Sequence, residues 1–402
     1  MLFYKMCFIK KYLFFPILAL SLLLNINHVY AQKKRIPIMA SHTVWVGHNK
    51  YENYKNIEDA GFTLAKEYYP SVEVAIQHLK TASKTKVKFI IECPELSKDI
   101  NNTVKRLRDI KSFAGYDIYD EPNTEMFDEL GEIVKEIKAI DDKHYIWVNL
   151  YPITVSTSWL KASSYEEYVN LFIEKVNPPF VSFDIYPIRK TQVAPEYYQN
   201  LDIVSRNCKK AGIPFWGYVS ASQWNYFAEP TKGTMAFQAY NNLAYGAQGI
   251  EYFSYRRIVQ KELNITVSPI DTNYQKMPIY YDVKKLNSEI NYYSKFFYGC
   301  DVKEVSYLSE KTPVGTRPTD SLPYDIKVCN YSGIGFVVSY FVCKGHDYLL
   351  FVNQDYVEPQ KIEIVTPRTL RRMSYYRNER RKVSGKKTLE AQPGSIILLR
   401  LS

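Results

Sequence analysis

The stretch Tyr116-Asp117-Ile118-Tyr119-Asp120-Glu121-Pro122-Asn123 runs as a short strand, stops at a proline and hands over to a helix. In that helix Phe127, Leu130, Ile133, Val134, Ile137 and Ile140 recur at three and four residues, which draws one apolar stripe along one face. Asn123 is placed to cap it, and Glu125 to favour its first turn through the helix dipole. A second apolar run follows, Tyr145-Ile146-Trp147-Val148-Asn149-Leu150. Strand, amphipathic helix and strand in one short span predict a parallel crossover unit.

The same alternation extends in both directions. Strands are expected at Ile36–Ser41, Phe62–Lys66, Val87–Glu92, Tyr116–Asp120, Tyr145–Leu150, Phe180–Tyr186, Pro214–Ser220 and Gly249–Tyr255. Their starts lie roughly 25 to 35 residues apart, the length of a strand-loop-helix unit. Glycines mark the helix ends before the last two, at Ala211-Gly212 and Gly246-Ala247, and an eighth helix over about Tyr280 to Tyr298 completes the ring. Eight such units predict a (β/α)8 barrel over residues 32–298. An open doubly wound sheet would commonly carry a glycine-rich phosphate turn after its first strand, whereas Ala40-Ser41-His42-Thr43-Val44-Trp45 has no glycine.

After Gly299 the helical period disappears. Gly335–Val342, His346–Asn353, Lys361–Val365, Arg371–Tyr376 and Ser395–Leu401 read as strands, and Thr312 to Asp325, with three prolines, reads as a loop. Residues 299–402 are therefore expected to form a small all-β, sandwich-like domain.

The first 31 residues have the pattern of a signal peptide. Lys5, Lys10 and Lys11 precede an apolar run from Tyr12 to Leu24, and Val29-Tyr30-Ala31 offers a small residue for cleavage. That run is short for a membrane span. The mature chain is expected to start near Gln32, in a periplasm or outside the cell, with no stable membrane insertion. Removing those three lysines lowers the formal charge from +10 to +7. A basic cluster between Arg368 and Lys387, opposed only by Glu379, reads as a solvated hairpin. No nucleic-acid-binding motif is present. Besides Cys7, Cys93, Cys208, Cys300, Cys329 and Cys343 leave an odd number of thiols, with Cys329 and Cys343 in successive expected strands and able to pair there. No CxxC occurs and the histidines are scattered, so neither a metal nor a cofactor is expected.

A barrel builds its active site at the C-terminal ends of its strands. There the sequence places Glu67, Glu92, Asp120, Glu121, Asn149 and Asp184, with Tyr68, Tyr151, Tyr186, Trp216, Trp224, Tyr255 and His42. Acids beside flat aromatic faces suit a carbohydrate: one carboxyl protonates the leaving oxygen, a second acts as base or nucleophile, and rings cover the apolar sugar face. Glu121 is the candidate acid, helped by Asp120, since adjacent carboxylates resist ionising together. Asp184, at a strand end on the same rim, is the first choice for the second acid. Glu92, Asn149, Tyr151, Tyr186, Trp216, Tyr255 and His42 are candidate substrate-binding residues.

Tyr119-Asp120-Glu121-Pro122 resembles the strand-four motif of clan A glycoside hydrolases, an apolar strand ending in Asn-Glu-Pro. Trp147-Val148-Asn149-Leu150-Tyr151-Pro152, Ser182-Phe183-Asp184-Ile185-Tyr186-Pro187 and Ala244-Tyr245-Gly246-Ala247-Gln248-Gly249-Ile250 are similar to the exported branch related to families 42 and 5. The resemblance implies an O-glycosyl hydrolase in which Glu121 is the general acid/base. Two departures stand out. Asp120 replaces the asparagine that holds the sugar's 2-hydroxyl. Strand seven, where the clan keeps its glutamate nucleophile, reads Phe215-Trp216-Gly217-Tyr218-Val219-Ser220-Ala221-Ser222-Gln223 without an acid. Glu229 follows in a loop and Glu251 falls early in strand eight, nearer the opposite mouth. The alternative to a hydrolase is thus a barrel that binds glycan without cutting it. Esterase chemistry lacks its Gly-x-Ser-x-Gly elbow.

Overall fold

A computed structural model describes residues 35–190, 192–260, 263–376 and 381–402. The expected signal segment and part of the basic cluster, including Glu379, lie outside the described residues. Eight parallel strands close into a barrel in sequence order: β1 Ile38–Ser41, β2 Leu64–Tyr68, β3 Lys88–Glu92, β4 Phe113–Asp120, β5 Tyr145–Leu150, β6 Val181–Phe183, β7 Phe215–Ser220 and β8 Gly249–Phe253. Closure comes from β1 pairing with β8, with Met39 opposite Glu251. The outer helices are α1 Tyr51–Asp59, α2 Val72–Ala82, α3 Ile100–Leu107, α4 Phe127–Ile140, α5 Tyr165–Val176, α6 Tyr197–Ala211, α7 Lys232–Ala244 and α8 Pro278–Phe297. This is the (β/α)8 architecture that the alternation implied.

Local chemistry starts and stops these helices. Ser71, Asp99 and Ser164 accept hydrogen bonds from the exposed first-turn amides of α2, α3 and α5. Thr231 and Thr234 do so reciprocally at the start of α7. Gly212 ends α6 at φ +71°, a conformation that a side chain would oppose. Asn123 caps one 3-10 turn, Thr124–Met126, and α4 begins behind it at Phe127.

Inside the barrel two layers differ in kind. Near the N-terminal end Met39, Leu64, Ile90, Ala114, Trp147, Phe180 and Trp216 form an apolar plug. Trp216 stacks on Phe180 at 4.4 Å between ring centres, and Gly249 leaves it room: a Cβ there would lie 2.2 Å from the indole. Trp216 therefore packs the barrel floor and does not face substrate, which corrects its assignment as a binding residue. Above the plug the bore turns polar, with Lys66, Asp117, Asn149, Ser182 and Glu251 all buried.

Seven more strands form one antiparallel sheet: β9 Asp301–Leu308, β10 Lys327–Tyr331, β11 Phe336–Cys343, β12 His346–Asn353, β13 Gln360–Met373, β14 Arg381–Ala391 and β15 Ile396–Arg400. Its central strands are apolar on both faces. Val337, Phe341, Leu350, Val352 and Leu398 join the barrel core, while Phe336, Val338, Leu349, Phe351, Ile397 and Leu399 build a second core on the other side. The first face meets α7 and α8, where Phe297 packs on Phe341 at 5.2 Å and Ser339 Oγ donates to the Ala244 carbonyl at 2.7 Å. Strands β9, β10 and β14 escape sequence reading: β10 and β14 are mostly exposed, β9 has only two buried residues, and none of the three carries a clear apolar alternation. Cys329 and Cys343 do not pair: β10 and β11 lie apart in the sheet, with β13, β15 and β12 between them, and all five described cysteines are free.

Candidate active site

The C-terminal mouth of the barrel opens into a cavity of about 590 Å³ lined by His42, Lys66, Asp120, Glu121, Asn149, Asp184 and Tyr186, with Tyr218, Arg189, Trp224, Tyr226, Phe227 and Phe253 among its other walls. Such a volume suits a small organic ligand, a sugar ring or two. The end of β4 is shaped for it. A bulge between Asp117 and Tyr119 brings Asp120 opposite Asn149, and the Glu121 amide donates to the Asn149 carbonyl at 2.9 Å. Glu121 then turns at φ +56°, and His42, at the end of β1, at φ +55°. Two non-glycine residues in the left-handed region on one rim mark backbone held in place by its surroundings.

Glu121 and Asp184 meet as a carboxyl pair in hydrogen-bonding contact. Burial, then the charges of Asp184 and Asp120, push Glu121 up to about 8, so it keeps its proton at neutral pH. Asp184 is anchored from below: Asn149 Nδ2 donates to its Oδ1 at 2.8 Å. Beneath that bond the chain of contacts continues. Ser182 Oγ lies 2.9 Å from Asn149 Oδ1 and 2.9 Å from Glu251 Oε1, while Trp147 Nε1 donates to Glu251 Oε2 at 3.0 Å. Ser182 has one proton and two acceptors. All contacts are satisfied when Glu251 remains protonated and donates to Ser182, which donates onward to Asn149. Burial pushes Glu251 up to about 7, and the Ser182 and Trp147 contacts, which would favour its ionised form, offset that only in part.

Lys66 carries the countercharge. Its ammonium lies 2.9 Å from Asp117 and 3.4 Å from the centre of the Trp147 ring. Burial opposes that charge, but Asp117, Asp120 and Glu92 outweigh it and hold Lys66 protonated. His42 sits on the same floor, where burial and the charges of Lys66 and Arg256 drive it down to about 3, making it a neutral hydrogen-bonding group. Opposite stands an aromatic wall: Trp224 packs edge-on to Tyr186 at 4.8 Å and to Phe253 at 4.9 Å.

Of the ten candidate catalytic and substrate-binding residues, Glu121, Asp184, Asp120, Asn149, Tyr186 and His42 share this cavity, as does Trp224, and four do not line it. Trp216 is the floor packing described above. Tyr255 is fully buried against Phe62, ring centres 5.7 Å apart, and is likewise corrected to a core residue. Glu92 faces Lys66 and Asp120 from the exposed end of β3. Tyr151 stands near Glu121 and Asp120 beside the cavity wall. Glu229 is exposed in its loop. Just beyond the end of β7, Ser222 is buried and its Oγ lies 2.9 Å from Ser254 Oγ. Lys66, Asp117 and Arg189 were not found by sequence reading. Lys66 had a signal, since it shares the inward side of β2 with Leu64, two residues away; a loop arginine has none.

Among the described residues no group of His, Cys, Asp and Glu could hold a metal ion, and no helix is long and apolar enough to cross a membrane. Comparison with known proteins agrees with the fold. The sequence profile of glycoside hydrolase family 42, described as beta-galactosidase, matches residues 125–293, beginning just beyond Glu121. A beta-galactosidase from Bacillus circulans sp. alkalophilus superposes with a TM-score of 0.65 at 9% identity, over 93% of this chain and 100% of that one. A catalytic mutant of a family 42 beta-galactosidase from G. stearothermophilus gives 0.64 at 8% identity, over 92% and 98%. A family 39 glycoside hydrolase from Bacteroides cellulosilyticus WH2 gives 0.50 at 11%, over 92% and 81%. No curated protein matches the sequence significantly. The closed parallel barrel, its antiparallel companion sheet and the family 42 match over residues 125–293 give the chain the (β/α)8 fold of clan A glycoside hydrolases.

Proposed function

We propose that this chain is an exported glycosidase that cleaves oligo- or polysaccharide, with Glu121 as the general acid and Asp184 as its partner. The observation that carries the reading is the Glu121–Asp184 carboxyl contact at the base of an aromatic-walled cavity. Glycosidase carboxyls stand about 5 Å apart for retention and 6.5 Å or more for inversion when a sugar lies between them, so substrate would enter by parting this pair. Asp184 is anchored by Asn149 Nδ2 at 2.8 Å, which fixes its place in the pair. A sugar entering the cavity would draw the Glu121 proton toward its glycosidic oxygen and leave Asp184 as a fixed carboxylate on the other side. His42 and Asn149 offer hydrogen bonds to hydroxyls, and Trp224 and Tyr186 offer apolar faces. Beta-galactosides are the first substrates to try, given the name of the matching family.

Replacing Glu121→Gln keeps the shape and removes the proton donor. Turnover of a confirmed substrate should fall to background while circular dichroism stays unchanged; undiminished turnover refutes the assignment. The second reading, a receptor that binds glycan without cleaving it, draws on the lack of any acid from Phe215 to Gln223, along strand seven and its end. Tight binding of an oligosaccharide panel without product by NMR selects it. The apolar leader after Lys5, Lys10 and Lys11 supports export, and fractionation of the native host checks it.

A further inference from the structure

Two cations line the cavity among the described residues, and only one of them is paired. Lys66 has Asp117. Arg189 has no ion pair and no side-chain hydrogen bond among the described residues, and its Nε is buried without a partner. None of the three lining carboxyls, Asp120, Glu121 and Asp184, takes it up. A guanidinium has five donors in a rigid fork, and leaving one out of water without an acceptor is unfavourable unless something else fills the place.

The backbone that carries Arg189 is well tied. Arg189 bridges Phe227, Lys190 N donates to the Tyr226 carbonyl at 3.2 Å, and Ala228 N donates to the Ile188 carbonyl at 3.1 Å. The loops after β6 and β7 thus hold one another, and the root of the arginine is fixed at the cavity wall. Its guanidinium lies 5.9 Å from the centre of the Tyr226 ring, which is itself exposed and followed by Phe227 and Trp224 at stacking distances. A planar cation beside flat aromatic surfaces recognises a sugar bearing an anionic group: the rings take the apolar face and the fork takes two oxygens.

We propose that Arg189 forms a subsite for an anionic substituent of the sugar, a uronic acid carboxylate or a sulfate ester, in the same cavity as the Glu121–Asp184 pair. This rests on the glycosidase reading for its location. The acids nearby do not forbid it: Lys66 offsets them, and the raised proton affinity of Glu121 and Asp184 thins their negative charge near neutral pH.

Calorimetric titration of the intact chain tests it with galactose, galacturonate, galactose 6-sulfate, glucose and glucuronate at pH 7 and low salt. At least one anionic sugar should bind about tenfold or more tightly than its neutral parent. That ratio should shrink with added salt, collapse toward one in Arg189→Gln and fall part-way in Arg189→Lys, which keeps the charge but loses the fork. The uronate and sulfate arms tell the two sources apart. Equal binding of charged and neutral sugars, binding of neither, or a preference that survives both substitutions in folded protein overturns the proposal. Cleavage of neutral glycosides alone would sustain the hydrolase and sink this subsite; uronate binding without any cleavage would do the reverse.

Discussion

Glu251 sits at the foot of the hydrogen-bond chain under Asp184, and the proton it keeps can be measured. In the unfolded chain its carboxyl titrates near 4.5, whereas in the folded barrel burial raises it to about 7. A carboxyl whose folded value is raised holds a proton that the unfolded chain has already lost. Between those two pH values folding therefore takes up a proton, and stability falls as pH rises. A gap of about 2.5 units corresponds to roughly 3 kcal/mol, reached above pH 7 and absent below about 4.5. In Glu251→Gln the amide nitrogen can donate to Ser182 and the amide oxygen can accept from Trp147, so the neutral acid's bonds are kept and the titration is removed. Urea unfolding of both proteins at pH steps from 4 to 8.5 isolates this one group, because the other titrations cancel in the difference. The variant should gain on the wild type by up to about 1.4 kcal/mol per pH unit through that window and level off above it. A difference that stays flat within about 1 kcal/mol, or that slopes the other way, refutes the reasoning. Glu251→Leu supplies the contrast: with Trp147 and Ser182 left without their partner, it should be less stable by about 1–3 kcal/mol below pH 4.5.

Two other outcomes follow from the site. Asp184→Asn removes a charge that holds the proton on Glu121, so the alkaline limb of the pH–rate profile should move to lower pH, with kcat down at least about a hundredfold; a limb that stays or moves upward contradicts the pairing. Trp216→Ala should destabilise the barrel by about 3–5 kcal/mol without changing the sugar Kd of the folded fraction. Wild-type stability with weakened binding would return Trp216 to the cavity.

Much of the barrel was legible along the chain, because strand and helix periods are local properties and each unit repeats them. Tyr145–Leu150 agrees in both bounds, and the apolar stripe of α4 lies where its spacing put it. The strands β9, β10 and β14 were not legible, since so few of their residues are buried that no apolar alternation shows. At the cavity, sequence could nominate residues at strand ends but could not say which way each side chain turned. Trp216 and Trp224 differ by eight positions and are both aromatic; one plugs the floor and the other walls the cavity. Glu251, discounted for its early place in strand eight, does lie below the cavity, yet through Ser182 and Asn149 it reaches Asp184.

By itself, then, the sequence determined the architecture and a short roster of acids, with Glu121 foremost, because backbone propensity and apolar period act between near neighbours. Only the tertiary structure decided that Glu121 touches Asp184, that Lys66 balances the acids from β2, and that Arg189 lines the cavity with no ion pair among the described residues. Those are facts of proximity between strands far apart in the chain, and proton affinity follows from burial and neighbouring charge, which exist only once the barrel has closed.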